Sequence, residues 1–308
     1  MMMMRYPTDL TIAMSQHPLN PEETDALYEA VRTQITGKTF STDDPTNLQK
    51  MIESLGDTRG ITRLHFAEAI GAIGTPATPF LIEAVTHHPN AVVRRAAPKT
   101  LTLIADPTAV PTLVHSLLTD PDTVVRSSVI GALAKTGEAS VPALLEILAS
   151  SEYPEDSKGL ATWALAFIGQ DAQSHIMAAI DSPSPEVRTA VIGTLGAIVQ
   201  ETHDEAAIAL LINALDDPDS SARSEATTAL SNIHHQPALP KLITLLQTHI
   251  DPETRKAAAL ALMKIGDKSA IAHLEVALEN ESEQNLIPVI RLAIGQLHKK
   301  PNNPTEDW

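Results

Sequence analysis

The chain has 308 residues, with 22 Lys plus Arg against 38 Asp plus Glu, so its formal net charge is −16. This charge, with no basic run beyond Lys299-Lys300, argues against nucleic-acid binding, and the lack of cysteine excludes disulfides and thiol chemistry of the chain's own. No apolar stretch is long enough to span a membrane, and the first ten residues lack a signal-peptide core. We therefore expect a cytoplasmic protein without a transmembrane segment.

The N-terminal part of the chain predicts one helix and a linker. Residues Pro21 to Ile35 form an acidic helical pattern, and Gly37 to Pro45 is typical of a connecting segment. We assign residues 1–45 to this N-terminal helix and linker, residues 46–298 to the main domain, and residues 299–308 to a flexible C-terminal tail.

The main domain consists of a repeated sequence. Each copy has a basic anchor residue followed about eleven positions later by a helix end, and the anchors are 30 to 36 residues apart. A period of this length predicts a repeat architecture. The anchors are Arg63, Arg94, Arg126, Lys158, Arg188, Arg223, Arg255 and, in a degenerate eighth copy, Arg291.

Two amphipathic helices are predicted in each repeat. In the fifth, Val187, Val191 and Leu195 recur at helical spacing after the turn, and a second apolar helix precedes it. The residue four before the anchor, such as Asp122, is typical of an N-cap, and its spacing predicts an ion pair with the anchor one turn later. Few aromatic residues are available, so the core must be Leu, Ile, Val and Ala. The fold class is therefore all-α: a right-handed α-solenoid of about eight short helical hairpins with an extra N-terminal helix.

Three copies carry a family resemblance: DTVVRSSVIGALAKTG (122–137), PEVRTAVIGTLGAI (185–198) and DPETRKAAALALMKIG (251–266). They resemble the short HEAT-like repeat of the phycobilisome bilin-lyase family. That resemblance implies a protein that binds an open-chain tetrapyrrole of the phycocyanobilin type as substrate, with no tightly bound cofactor. It further implies a phycobiliprotein subunit as partner, a second HEAT-like lyase subunit where the lyase works as an unlike pair, and thioether attachment or transfer of the bilin to a partner cysteine.

Two departures from the family pattern leave the enzymatic activity open. Lys158 stands where the family has Arg, and the eighth repeat has no Asp-type cap. The alternative is a non-catalytic HEAT-repeat scaffold, or a phycobilisome assembly or degradation factor that binds phycobiliproteins. The sequence does not determine whether the protein attaches bilin, detaches it or acts as a scaffold. It also leaves open the bilin species, the acceptor cysteine and the oligomeric state.

Positions one, five and nine after each anchor fall on one stripe of the second helix, which the architecture places on the concave wall. In the fourth repeat this stripe contains Trp163 and Phe167, near Gly131, Gly159 and Gly193, and we predict a platform with room beside a flat ring. The cations Arg95, Lys99 and Lys135 would hold the bilin propionates. The alternative is that the two rings pack against the next helix and the cations are solvated.

Glu68 and His65 are the candidate catalytic residues, because a carboxyl or imidazolium there could protonate the bilin during thiol addition. The alternative is a solvated Glu and a surface His. The adjacent pairs His87-His88 and His234-His235 diverge by about 100° on a helix and cannot readily chelate one ion, so we predict loop histidines and no metal site.

Overall fold

The computed structural model describes residues 19–299, which form two compact units, one ending at Ile168 and the other beginning at Gly169. Within these residues the regular structure is helical. In unit one the helices are α1 (Pro21–Thr36), α2 (Pro45–Ser54), α3 (Gly60–Ile73), α4 (Thr78–His87), α5 (Ala91–Ile104), α6 (Val110–Thr119), α7 (Thr123–Lys135), α8 (Val141–Ala149) and α9 (Glu155–Ile168).

Unit one consists of two layers of helices. Helices α2, α4, α6 and α8 contact one another in order in the first layer, and α1, α3, α5, α7 and α9 do so in the second. Each first-layer helix also pairs with the helix that follows it, which makes four hairpins. A single hairpin leaves its apolar stripe uncovered, so stacking of successive hairpins creates the core.

Unit two repeats this construction with four further hairpins among the described residues. Its helices are α10 (Gln173–Ala178), α11 (Pro185–Thr202), α12 (Glu205–Asn213), α13 (Ser220–Asn232), α14 (Leu239–Thr248), α15 (Pro252–Ile265), α16 (Ala270–Asn280) and α17 (Ile287–Lys299). Helices α11, α13, α15 and α17 contact one another in order. The predicted all-α fold of stacked hairpins with an extra N-terminal helix is confirmed.

The core lies between the two layers and, apart from Phe66, is built mainly of aliphatic side chains, as the composition predicts. In α7, Val125, Val129 and Leu133 lie one turn apart and are fully buried, and Leu113 and Leu117 of α6 are fully buried as well. Burial of each such side chain contributes about 1.5–3 kcal/mol. The same stripe recurs in each second helix, which is why the sequence period is visible.

The helix caps are as predicted, but the ion pair expected within each turn is wrong. The Asp122 Oδ1 atom accepts hydrogen bonds from the N–H groups of Val124 and Val125, and so caps α7. The anchor Arg126, however, bonds to Asp156 in the next hairpin rather than to Asp122. The other pairs that link an anchor to the following repeat are Arg94–Asp120, Arg188–Asp217, Arg223–Asp251 and Arg255–Glu281.

The anchor arginines also close their own hairpins. In five of them, one guanidinium nitrogen donates to the carbonyls five and six residues earlier, which lie in the turn between the two helices. In Arg188 these acceptors are Ser182 and Pro183, at 2.9 and 3.3 Å. The five are Arg63, Arg94, Arg188, Arg223 and Arg255. The guanidinium thus fixes the turn and links it to the next hairpin, which an i,i+4 pair would not do.

The ends of the predicted segments differ slightly from the structure. Helix α1 extends to Thr36, and Pro45 is the first residue of α2, capped by Asp44, so the linker is one residue shorter than predicted. Lys299 is the last residue of α17, and the rest of the predicted tail lies outside the described residues. No single helix in residues 19–299 is long and apolar enough to cross a membrane. The bent pair Gly60–Ile73 and Thr75–His87 meets that test of length and composition only when taken together.

Candidate functional site

The stripe of positions one, five and nine after each anchor lies on the solvent side of the second layer in unit one. Helices α2, α4, α6 and α8 cover the opposite side of that layer. We call the exposed stripe the open face of unit one. Its exposed residues are Leu64, Glu68, Ala72, Lys99, Leu103, Ser127, Gly131, Lys135, Gly159, Trp163 and Phe167.

Trp163 and Phe167 form an exposed aromatic pair on α9. They lie one helical turn apart and retain 63% and 72% of their accessible surface. Single exposed apolar side chains are common on folded proteins, but two neighbouring exposed rings make a contiguous apolar surface, and such a surface marks binding sites. The alternative that these rings pack against the next helix does not account for their exposure.

Two of the three glycines that we predicted to flank the aromatic pair leave open space. A Cβ atom added to Gly159, one turn before Trp163, would meet no atom within 4 Å, and one added to Gly131 would only reach Thr102 at 4.0 Å. The prediction of open space beside Gly193 is wrong. That glycine lies in unit two, where a Cβ atom would be 3.0 Å from the Glu225 Oε1 atom.

The three predicted cations differ in how free their charges are. Lys99 and Lys135 are exposed, and within residues 19–299 their ammonium groups have no hydrogen bond or ion pair. Arg95 instead donates from Nε and Nη2 to the Asp122 carboxylate, at 3.2 and 2.5 Å. This contact raises the pKa of Arg95 and lowers the pKa of Asp122 to about 2. A second anion at Arg95 would have to compete with Asp122.

The repeat register places Lys135 and Phe167 at the same position on the adjacent helices α7 and α9. Lys99 and Trp163 share a position on α5 and α9, and Gly131 of α7 occupies that position between them. Neighbouring helices pack about 8–10 Å apart. The open face therefore offers an aromatic surface on α9, a small residue and one free ammonium group on α7, and a second free ammonium group on α5.

The predicted catalytic residues lie on α3, away from the aromatic pair. The His65 ring stacks on Tyr28 of α1, with ring centroids 4.8 Å apart and planes 13° apart, so its packing role is to hold α1 against α3. Glu68 is exposed on the open face. Because α5 and α7 separate α3 from α9, the structure does not bring His65 and Glu68 together with Trp163.

The first histidine pair differs from the predicted loop histidines, because His87 is the last residue of α4 and His88 caps that helix. His88 is buried, its Nδ1 atom accepts a hydrogen bond from the Asn90 N–H group, and its Nε2 atom lies 3.2 Å from the Glu53 Oε2 atom. Since Nδ1 is the acceptor, Nε2 carries the proton and donates to Glu53. The described residues contain no group of three or more His, Cys, Asp or Glu side chains arranged to hold a metal ion.

Comparison with known proteins identifies the repeats and their relatives. HEAT repeats match residues 48–134, 78–166, 141–231 and 208–294. The chain is 36% identical over 282 residues to the bilin biosynthesis protein MpeU of Synechococcus sp. (strain WH8020), covering 91% of this chain and 95% of that protein.

Two solved structures are also similar. The complex of CpcE and CpcF of phycocyanin lyase from Nostoc sp. PCC7120 is 20% identical, with 81% of this chain and 94% of that chain covered and a TM-score of 0.32. Human deoxyhypusine hydroxylase is 17% identical, with 91% and 100% covered and a TM-score of 0.36. On the repeat match and the identity to MpeU, the chain belongs to the phycobilisome bilin-lyase family of HEAT-repeat proteins.

Proposed function

We propose that this protein binds an open-chain tetrapyrrole on the open face of unit one and assists its attachment or transfer to a cysteine of a phycobiliprotein. The exposed pair Trp163 and Phe167 is the observation that carries the proposal. The name of its relative, bilin biosynthesis protein MpeU, supports a bilin as the ligand class. The cytoplasm, where we place this activity, stays a prediction.

The chemistry of a bilin fits the open face. Its conjugated body is flat and apolar, and would cover the rings of Trp163 and Phe167 while passing over the small Gly131. Its two propionates are anions, and the free ammonium groups of Lys135 and Lys99 lie one and two helices from the rings. Arg95 is the weaker candidate, because Asp122 already neutralises it.

The covalent step requires a thiol from another protein, since this chain has no cysteine. In that step the partner's sulfur bonds to a carbon of the bilin's reactive double bond, and the thiol hydrogen ends on the neighbouring carbon, so no oxidant is needed. Glu68 is our candidate to deliver that proton, with His65 beside it. Glu68 and His65 are separated from Trp163 by two helices. Either the bilin therefore extends along the open face to reach them, or a second lyase subunit supplies the proton donor.

That separation also supports the second candidate function, a carrier or assembly factor that holds bilin and phycobiliprotein without forming the bond. The fold does not distinguish the two candidate functions, because a HEAT-repeat fold is compatible with both. Incubating the chain with bilin and an acceptor phycobiliprotein distinguishes them. A lyase produces a covalent adduct that survives denaturation, whereas a carrier changes the bilin absorbance and leaves the bilin extractable.

The binding itself is tested by titrating the protein with phycocyanobilin and recording absorbance. We expect a red shift and enhancement for the wild type. Trp163→Ala should raise the Kd about tenfold, because one aromatic contact is worth about 0.5–1.5 kcal/mol beyond its buried area. Leu292→Ala changes an apolar residue of α17 in unit two that is 51% exposed; it is the matched control and should leave Kd unchanged. Equal titrations for wild type and Trp163→Ala would contradict the assignment.

A further inference from the structure

Unit two contains a groove of about 470 Å³ along helices α11, α13 and α15. Its polar lining comes from the first turns of these helices, at positions near the anchors. The residues that matter for recognition are Thr189, Ser220, Ser221, Ser224, Glu225 and Lys256. None of them belongs to the open face of unit one.

The hydroxyl groups in this groove are free. Buried threonine hydroxyls in these helices have partners: Thr194 donates to the Ala190 carbonyl at 2.9 Å, Thr227 to the Arg223 carbonyl at 2.8 Å, and Thr254 to the Asp251 carboxylate at 2.7 Å. Within the described residues, the hydroxyls of Thr189, Ser220, Ser221 and Ser224 make no hydrogen bond. Four hydrogen-bonding groups that face one groove are therefore available to a ligand.

Glu225 places an uncompensated carboxylate in the same groove. It is half-buried, and in residues 19–299 it has neither an ion pair nor a hydrogen bond. Burial raises its pKa. Lys256, the cation nearest in the groove lining, is paired with Glu253 at 3.2 Å. A half-buried carboxylate without a counter-charge is destabilising unless a ligand supplies one.

We propose that this groove binds a lysine or arginine side chain of a partner protein. The ligand's cation would pair with the Glu225 carboxylate, and its remaining N–H groups would donate to the hydroxyl oxygens of Ser221, Ser224 and Thr189. An anionic ligand is disfavoured, because Glu225 and Glu253 both line the groove. The net charge of −16 would steer a basic segment toward the protein and release it at high ionic strength.

The test uses the full chain and a fluorescently labelled peptide, acetylated and amidated, with two lysines separated by glycines. Anisotropy is measured at low salt for the wild type, Glu225→Gln and Glu279→Gln. Glu279 is exposed on α16, outside the groove, so both variants remove one negative charge. We expect Glu225→Gln to weaken binding about fivefold and Glu279→Gln to leave it nearly unchanged.

Gly193→Ala gives a second variant that keeps the net charge. Its new Cβ atom would lie 3.0 Å from Glu225 Oε1 and displace the carboxylate, while alanine is a better helix former than glycine. Binding should weaken although folding is retained, as measured by thermal unfolding. If Glu225→Gln and Glu279→Gln weakened peptide binding equally, the proposal would be overturned, since the loss would then follow from the change in net charge and not from the groove. Tighter binding of a matched glutamate peptide would overturn it as well. The test involves no bilin, so its outcome is independent of the proposed function.

Discussion

Asp122 caps a helix and pairs with an arginine at the same time, so its charge contributes to stability in two ways. One carboxylate oxygen caps α7 through the N–H groups of Val124 and Val125, and the other accepts from Arg95. Its pKa of about 2 lies below the ordinary value of 3.8. A depressed folded-state pKa stabilises the fold fully above the unfolded pKa, and that stabilisation is lost as pH falls from about 4 toward 2.

Replacing Asp122 separates the cap from the ion pair. Asp122→Asn keeps a capping oxygen and removes the charge, whereas Asp122→Ala removes both. We expect the alanine variant to be less stable than the asparagine variant by about 1 kcal/mol, the usual value of an N-cap. Urea unfolding at neutral pH measures the difference. The asparagine deficit relative to wild type should narrow on acidification, and equal stability of the two variants would show that the cap contributes nothing.

Among the helices, the anchor side chains decide how firmly each hairpin is joined to the next. Arg188 donates to the turn before α11 and pairs through two nitrogens with Asp217, and both side chains are largely buried. Lys158 on α9 instead pairs with Glu155 of its own helix, and the Glu155 side chain is 91% exposed. Arginine can bind a carboxylate and two carbonyls together because its donors form a planar fork, and a lysine ammonium cannot.

The two anchors should therefore differ when the charge is removed and the aliphatic stem is kept. We expect Arg188→Met to lower the free energy of unfolding by about 3 kcal/mol, because it removes the ion-pair partner of the buried Asp217 carboxylate. Lys158→Met should cost less than about 1 kcal/mol, because its partner Glu155 is 91% exposed and stays hydrated when the ammonium is removed. Urea denaturation followed by circular dichroism measures both, and similar losses would refute the linking role of the arginine.

Local signals predicted the elements well. Helix positions follow from the 3.6-residue apolar period of residues such as Val125, Val129 and Leu133, and Asp122 indicates its helix start, because these effects act within one turn. The predictions failed where a long side chain reaches another hairpin. Arg126 reaches Asp156, and His65 stacks on Tyr28, contacts that depend on which helices lie next to each other.

For the candidate site, too, the sequence predicted what depends on one helix and missed the contacts between hairpins. Helix geometry alone decides which residues share a stripe, so the sequence could predict that four side chains share the exposed face. These are Trp163, Phe167, Lys99 and Lys135. The neutralised Arg95 and the free Glu225 have no sequence signal, since pairing and burial depend on neighbours about 30 residues away.

At the scale of the whole molecule, an acidic chain presents two chemically different surfaces, one on each unit, which we propose as binding sites. The open face of unit one combines rings with free lysines, and the groove of unit two combines hydroxyls with a free carboxylate. The first suits a flat anion and the second a basic side chain. We therefore expect pigment and partner protein to bind together rather than to compete.

The most direct measurement uses the fluorescence of Trp163. The chain has two tryptophans, so Trp308→Phe leaves Trp163 as the one emitter. Because Trp163 is 63% exposed, acrylamide should quench it efficiently in the free protein. Saturating phycocyanobilin should lower the acrylamide quenching constant of the residual emission at least about twofold, since a bound ligand covers the ring. Bilin binding seen by absorbance with unchanged access of acrylamide to Trp163 would contradict the account.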